Sequence, residues 1–345
     1  MEKQLSFIVP AYNAARTLEK CLDSLLEESS LAACEVIIVN DGSSDATEKI
    51  AQSYHQRFPQ TVFVINKENG GHGSAINRAI PSAQGKFFRV VDADDWLVSE
   101  NLPRIIALME KSQADVLICD FHTFDVKTQK YRHYSVTGEY AFQDIGYSQL
   151  LSVYSKIARN CSFHGLCYNT AFYQKQKLRL TEKIYYDDNE LAIIPMLRAS
   201  TMTLVPLAFY QYRIGDVNQS VAFPNQVKRI ADIETVIKRI VSWKQTTADY
   251  SSDIQAYYLA QMAQLAVSYF AVALVKKREK KEGRELAAAL YNYLAENEVL
   301  LLDKIRKKYR IMLLLNRLHF SAQLYQKLLD SKIYQQFLTK WIGNS

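Results

Sequence analysis

Cysteine is scarce and unpatterned: Cys21, Cys34, Cys119, Cys161 and Cys167 form an odd set of five among 345 residues, with no repeated spacing. That argues against a disulfide framework, and several of the five lie inside apolar patterns where a thiol packs as a small hydrophobe. A reducing compartment is the expectation. The opening stretch, Met1 to Pro10, has no apolar run leading to a small-residue cleavage site, so no secretory signal is expected and the cytoplasm is. G-x-G-x-x-G is missing where a dinucleotide fold would carry it. The first strand-to-helix turn reads Pro10-Ala11-Tyr12-Asn13-Ala14-Ala15, and the glycines come only later, at Gly70, Gly71 and Gly73. No nucleic-acid-binding motif accompanies the basic charge, so nucleic acid is not an expected partner.

What is present is enough apolar residue, 48% against 23% charged, for a folded protein, in a chain long enough for two domains. The net charge of +6 is uneven. Residues 216–345 carry 20 Lys and Arg against 12 Asp and Glu, whereas the rest carries 22 against 24.

Short β-rich runs alternate with helical patterns through the first 125 residues. Leu5 to Val9, Val36 to Val39, Val62 to Ile65, Phe87 to Val91 and Val116 to Cys119 read as strands. Leu18, Cys21, Leu22 and Leu25 recur as one helix face, as do Ile50, Tyr54 and Phe58, then Ala75, Ile76 and Ala79, then Leu102, Ile105, Ile106 and Met109. Such repeated units predict an α/β fold with a doubly wound, mostly parallel sheet. The loops after its strands, Pro10 to Asn13, Asp41 to Asp45, Asn69 to Ser74 and Asp92 to Asp95, then converge on one edge, where open α/β sheets bind ligands.

The fourth of these strands ends abruptly in Asp92-Ala93-Asp94-Asp95. Three carboxylates this close repel one another, and a hard divalent cation carrying a diphosphate would offset that cost. The bland alternative is a strand-end Asp that caps a turn. Asp41-Gly42 has an equally bland reading as a turn dipeptide, with Ser43 or Ser44 as a helix cap.

Four stretches together carry a resemblance: Ser6 to Asn13, Val36 to Asp45, Asn69 to Gly73, and Val90 to Asp95. In this order, each at a strand end, they resemble the family 2 glycosyltransferases, inverting enzymes of GT-A fold. The resemblance is firm over residues 1–125, thinner to 215 and absent beyond. It implies a GT-A type sheet with a nucleotide-sugar donor, commonly UDP-linked, and Mn²⁺ or Mg²⁺. Pro10, Ala11, Tyr12 and Asn13 would line the base pocket, Asp41 would accept a hydrogen bond from the base, and Asn69 and Gly71 would belong to the donor site. Asp92, with Ala93 beside it, would lie near the ribose and the metal, and Asp94 would ligate the metal with Asp95 in support. Many relatives have Ala-Arg-Asn in the helix after the glycine loop. This chain has Ala75-Ile76-Asn77 with Arg78 one place later, so Asn77 and Arg78 are both donor-site candidates. His72 reads as a turn residue.

Inverting transfer needs a base opposite the leaving diphosphate. Tyr186-Asp187-Asp188-Asn189-Glu190 resembles the family's Glu-Asp motif, which maps the base to Asp188, with Asp187 next; the bland reading makes both ordinary first-turn acids of a helix. Asn160 to Tyr168 reads as an acceptor-side loop containing His164, and Phe209 to Arg213 resembles a closing Tyr-Arg segment in which Arg213 would meet a donor phosphate.

Residues 1–220 are therefore expected to form the catalytic domain and 221–345 a helical accessory domain. In the latter, Ile254, Tyr258, Met262, Leu265 and Tyr269 fall at helical spacing. Gln255, Gln261 and Gln264 make that run a buried helix in preference to a membrane span. Lys276 to Lys281 and Lys304 to Arg310, beside apolar Ile311 to Leu315 and on to Leu324, Leu328, Tyr334, Phe337 and Trp341, suit an anionic membrane surface or a homodimer contact. The expected whole is a cytoplasmic enzyme, peripheral at the inner face of the plasma membrane, that adds a sugar to a saccharide or lipid-linked saccharide in surface polysaccharide synthesis. The rival reading is a non-catalytic scaffold subunit of the same fold.

Overall fold

The computed structural model describes residues 2–136, 138–216, 223–246, 250–320 and 325. The chain divides into two compact units, Met1–Val217 and Asn218–Ser345. The first contains, in chain order, β1 (Leu5–Ala11), α1 (Leu18–Leu25), β2 (Cys34–Asp41), α2 (Thr47–Arg57), β3 (Val62–Lys67), α3 (His72–Ala79), β4 (Phe87–Val90) and β5 (Trp96–Leu97). Next come α4 (Leu102–Lys111), β6 (Val116–Asp125), β7 (Lys130–Tyr134), β8 (Asp144–Ile145), α5 (Tyr147–Ile157), β9 (Leu166–Asn169), α6 (Thr170–Lys175), α7 (Asp188–Ile193) and β10 (Met202–Ile214).

One sheet joins the ten strands in the order β3-β2-β1-β4-β9-β6-β10-β5, with β7 on β6 and β8 on β10. All eight positions of β2 are buried, as a strand covered on both faces requires, so its Val36-Ile37-Ile38-Val39 run needs no alternation. Each such side chain contributes about 1.5–3 kcal/mol by leaving water. Leu18, Cys21, Leu22 and Leu25 of α1 are buried as their spacing predicts. From β3 to β4 every pairing is parallel, which brings the ends of β1, β2, β3 and β4 to one edge.

Beyond β4 the expected α/β class holds and the sheet becomes mixed. The short strand β9 runs antiparallel to both β4 and β6, with Phe87 opposite Asn169 and Val116 opposite Tyr168. Leu166 to Tyr168, expected in an acceptor-side loop, are thus sheet residues, and only Asn160 to Gly165 remain outside the strand. Further along, β10 pairs parallel with β6 but slips register between Val205 and Ala208 and again before Tyr210. Pro206 lies in the first slip, where its missing N–H interrupts the ladder.

Arg89 breaks the apolar run of β4 yet is 1% exposed. Its guanidinium sits over the rings of Phe209 and Tyr210, 4.8 and 5.0 Å from their centroids, and donates to Cys167 Sγ at 3.1 Å and to the His164 carbonyl. Aromatic faces and a sulfur thus stand in for a carboxylate. Burial pushes the Cys167 thiol up, but the Cys119 hydrogen bond and the Arg89 charge outweigh it and bring its pKa down to about 7.

The second unit is helical: α8 (Phe223–Lys228), α9 (Ile230–Gln245), α10 (Ser252–Ala271), α11 (Lys280–Asn297) and α12 (Val299–Arg317). Tyr258, Met262, Leu265 and Tyr269 are buried on α10, as their spacing predicts, and Ile254 is half-buried. Ser252–Lys276 is long and apolar enough to cross a membrane, but 61% of its apolar window is buried within the protein, the pattern of a core helix. Past α10, Val272–Lys276 widens into a π turn. Asn316 Nδ2 caps the Leu274 carbonyl there at 2.7 Å, and Gly283 lets α11 approach the Ala273 carbonyl more closely than a Cβ would allow. Leu324, Leu328, Tyr334, Phe337 and Trp341 lie outside the described residues.

Candidate active site

The strand ends are tied together by polar groups from neighbouring loops. After β1, Ala11 is 1% exposed and Tyr12 55%, so the backbone dives under the site while the Tyr12 ring faces outward. Asn13, at φ 49°, is a knot: its N–H donates to Ser43 Oγ at 3.0 Å, and its Oδ1 accepts from the Ser44 N–H at 2.9 Å. Its carboxamide oxygen thus braces the loops after β1 and β2 against each other. Pro10 is half-buried at the end of the same strand.

Asp41 ends β2 with its carboxylate already engaged. Lys67 Nζ and the Gly70 N–H donate to Oδ1 at 2.6 and 2.9 Å, and the Gly71 N–H donates to Oδ2 at 2.7 Å. A carboxylate has about four acceptor sites, so Asp41 retains room for about one further donor. Asn69 reinforces the junction by donating to the Asp41 carbonyl at 3.0 Å. Gly71 has φ +84°, where a Cβ would be strained and would press on the Lys183 backbone, whose N–H donates to the Gly70 carbonyl at 2.7 Å.

Asn77 and Arg78 do not converge on this edge. Asn77 Nδ2 donates to the Leu180 carbonyl at 2.9 Å and to Glu182 Oε1 at 3.1 Å, while its Oδ1 accepts from the Leu180 N–H at 2.8 Å. That side chain fastens the segment leading to α7. Arg78 is exposed in the last turn of α3, about 9 Å along the axis from His72 at 1.5 Å per residue, and the phase that would face the sheet belongs to buried Ile76. Arg78 stands two positions past Ile76, the place of the usual arginine, which is about 200° around the helix, so it leaves α3 on the exposed side, opposite that phase.

Asp92, Asp94 and Asp95 gather within 4.8 Å of one another. Asp95 is 1% exposed and serves the scaffold: Tyr210 Oη donates to its Oδ2 at 2.6 Å and the Arg213 N–H to its Oδ1 at 2.7 Å. Burial, then the charges of Asp94 and Asp92, pushes its pKa well above the usual carboxylate range. Tyr210 Oη also accepts from the Asp92 N–H at 3.1 Å, which fixes the start of the acidic turn. Buried Ala93, 7% exposed, spaces the outer pair. Asp92 and Asp94 keep 29% and 38% of their side chains exposed. Two accessible carboxylates over a third that is committed elsewhere fit a hard divalent cation, which takes one or two protein oxygens and completes its shell with water and phosphate. Arg213 Nη1 lies 3.7 Å from Asp94 Oδ2, and its Nη2 donates to Asp216 at 2.9 Å. Beside them a cavity of about 100 Å³ is bordered by Arg16, Lys20, Trp96 and Arg213. Burial, then Arg213, lowers the Lys20 pKa.

The second acidic pair reaches the same place from 95 residues downstream. Glu190 prepares the turn before α7 by accepting from the Thr181 N–H at 2.9 Å and Thr181 Oγ1 at 2.7 Å. Neither Asp187 nor Asp188 caps a helix: Asp187 is the N-cap residue of α7 but makes no side-chain cap bond. Its Oδ2 instead lies 2.8 Å from His72 Nδ1, and His72 Nε2 lies 3.1 Å from Asp92 Oδ1. Burial would lower the His72 pKa, but Asp187 and Asp92 hold it well above the ordinary histidine value. Asp188 accepts from Asn189 Nδ2 at 3.1 Å and pairs with no cation among the described residues. Burial, then the Asp187 charge, raises its pKa to about 7. That is the range in which a carboxylate serves as a base at neutral pH. The His72 bridge, the Tyr210 hydroxyl and Lys67 were not legible as site groups in the sequence. The signals present were a histidine inside a glycine loop that opens a helix and the place of Tyr210 in the Tyr-Arg segment.

With this geometry in place, likeness to known proteins carries weight. The model for glycosyl transferase family 2 matches residues 6–179, which take in Asp41, the glycine loop and Asp92 to Asp95. EpsJ of Bacillus subtilis (strain 168), an uncharacterized glycosyltransferase, is 39% identical over 118 residues, 34% of this chain and 34% of EpsJ, so the match spans about a third of that relative. S. aureus TarS 1-349 in complex with UDP-GlcNAc superposes with a TM-score of 0.64 over 91% of each chain at 19% identity. The mannosyltransferase PcManGT from Pyrobaculum calidifontis, in complex with GDP-Man and Mn²⁺, does so with 0.54 over 96% of this chain and 89% of its own at 14% identity. At these identities the two structures speak for the fold. The family match runs through half of the sequence, and by it the chain belongs to glycosyl transferase family 2.

Proposed function

We propose that this glycosyltransferase inverts configuration while moving a sugar from a nucleotide-sugar, most simply a UDP-sugar, to a hydroxyl of a saccharide or lipid-linked saccharide acceptor. The carrying observation is Asp188: a carboxylate with a pKa of about 7, next to a residue that His72 links to the acidic turn. The Tyr12 ring, 55% exposed at the sheet edge, offers a face to the base, and Asp41 offers its remaining acceptor site. Arg213, 3.7 Å from Asp94, would meet the diphosphate from that side.

In the proposed step the acceptor oxygen attacks the anomeric carbon, its proton passes to Asp188, and the anomeric C–O bond breaks to release the nucleoside diphosphate. A cation held by Asp94 and Asp92 would neutralise charge on that leaving group. TarS supports UDP as carrier, since it is known in complex with UDP-GlcNAc, whereas PcManGT holds GDP-Man. The test is a panel of nucleotide-sugars with Mn²⁺, read by thermal shift and by released nucleotide. A UDP-sugar should raise the melting temperature by mass action and be turned over. Selective response to GDP-sugars would overturn the choice of carrier, and a donor that binds without turnover would favour the scaffold reading.

We further propose that the helical unit docks on an anionic membrane, which suits a lipid-linked acceptor in surface polysaccharide synthesis at the cytoplasmic face. On α12 and just past its end, Val299, Leu300, Ile311, Leu314 and Leu318 are 51–67% exposed, and Lys304, Lys307, Lys308 and Arg310 are exposed between them. Each Lys near an anionic leaflet contributes about 1 kcal/mol. Changing Lys304, Lys307 and Lys308 to Gln in the full chain should therefore weaken sedimentation with phosphatidylglycerol vesicles by about 100-fold. Unchanged sedimentation, or a loss of dimer in its place, would transfer this face to protein contact.

A further inference from the structure

Both ring nitrogens of His72 face carboxylates, Nδ1 toward Asp187 Oδ2 at 2.8 Å and Nε2 toward Asp92 Oδ1 at 3.1 Å. The two nitrogens lie on opposite sides of one rigid ring, so a single side chain spans the gap between the two acids. The glycines on either side make the geometry reachable. Gly71, at φ +84°, turns the chain into α3, and a Cβ at Gly73 would lie 3.0 Å from Asp187 Oδ2 and closer still to the Thr181 carbonyl. The ring is braced edge-on by Phe163 at 6.4 Å.

Resting on the functional reading above, we propose that His72 is a positioning residue: one ring that bridges the donor-side acid Asp92 and the base-side acid Asp187 in a single frame, leaving Asp188 as the proton acceptor. Asp187, with 3% of its side chain exposed and its Oδ2 paired, is withdrawn from proton transfer. Asp188 is half-buried and has no cation partner among the described residues. The same ring couples the two halves of the reaction. Asp92 meets the donor, Asp187 sets the backbone that carries Asp188, and a shift of either is felt by the other.

The two ends of the bridge can be cut separately in the full-length enzyme. An Asn amide nitrogen falls near the Nδ1 position and a Gln amide nitrogen near Nε2. His72→Gln should keep the Asp92 contact, so that donor KM and the melting shift induced by UDP stay near wild type while kcat falls about 10–100-fold, the usual cost of losing a group that orients a reacting one. His72→Asn should do the reverse, raising donor KM and shrinking the UDP-induced shift by about the same factor while sparing more of kcat. His72→Ala should lose both. If the Ala variant does not fold, the Asn and Gln pair still decides the matter. Equal losses in KM and kcat for Asn and Gln, or an Ala variant within about twofold of wild type, would overturn the proposal while leaving an active glycosyltransferase. A wild-type chain that turns over no nucleotide-sugar would overturn the functional reading itself, and the assignment of Asp188 with it.

Discussion

Asp188→Asn should lower kcat by about 10²–10⁴-fold, the usual contribution of a positioned general base, and leave donor KM nearly unchanged. Asn keeps the shape and the Asn189 contact but cannot take the acceptor's proton. The wild-type pH profile should carry the same signature. With a pKa of about 7, Asp188 is protonated and inactive as a base in acid, so kcat/KM should rise about tenfold per unit up to pH 7 and then level. The Asn variant should lose that limb.

Stability separates this from damage to the fold. The folded state holds Asp188 protonated from the ordinary Asp range up to about pH 7, while the unfolded chain has already ionised. Its contribution therefore falls as pH rises through that window and stays unfavourable above it. Asp188→Asn should thus melt no lower than wild type at pH 8, and higher if the raised pKa governs. A variant that keeps kcat within tenfold, or one that keeps the acid limb, would remove Asp188 from the role and return attention to Asp187.

Much of this site could be read in the chain before any fold was known. The β-branched runs of β1, β2 and β4 give way to Pro10, Asp41 and Asp92 at or just past the strand ends, and a parallel sheet leaves such ends nowhere to go but one edge. The face of α1 was equally plain, since periodicity is a local property. What escaped was set by distant partners. The four residues of β9 are too few to show a period, and their place between β4 and β6 is decided by pairing across about 50 to 80 positions. His72 looks like a turn residue until α7 brings Asp187 to it from 115 positions away, and Tyr210 meets Asp92 across 118. Arg78, an open candidate because its helix phase differs from that of the usual arginine, is exposed on the side of α3 away from buried Ile76. Asn77, chosen by motif, proved to be fastened to Leu180 and Glu182 because an amide that finds both a carbonyl and an N–H is a better clamp than a free ligand.

Asp94→Ala should cost about 10³-fold or more in metal-supported turnover, since stabilising the charge of a departing diphosphate is worth several kcal/mol, and it should do so without weakening the fold. Asp94 has 38% of its side chain exposed, and its charge is one of the causes, after burial, that drives the buried Asp95 carboxyl upward. Deleting that charge removes repulsion from the folded state and with it the 3.7 Å Arg213 contact, a half-exposed pair of small worth, so the variant should melt near the wild-type temperature. The direct readout is the metal itself. If Asp94 and Asp92 hold Mn²⁺, adding the ion at 100 times its Kd should stabilise the wild type by about 2.7 kcal/mol, and this increment should vanish in the variant. Asp95→Ala is the contrasting control, because it strips partners from the Tyr210 hydroxyl and the Arg213 N–H, each unpaired buried donor costing about 1–3 kcal/mol. It should therefore lower the melting temperature before any ion is added. Full turnover by the wild type in excess chelator, or an undiminished Mn²⁺ increment in Asp94→Ala, would leave these carboxylates as elements of the fold and assign the diphosphate to Arg213 and the basic border at Arg16 and Lys20.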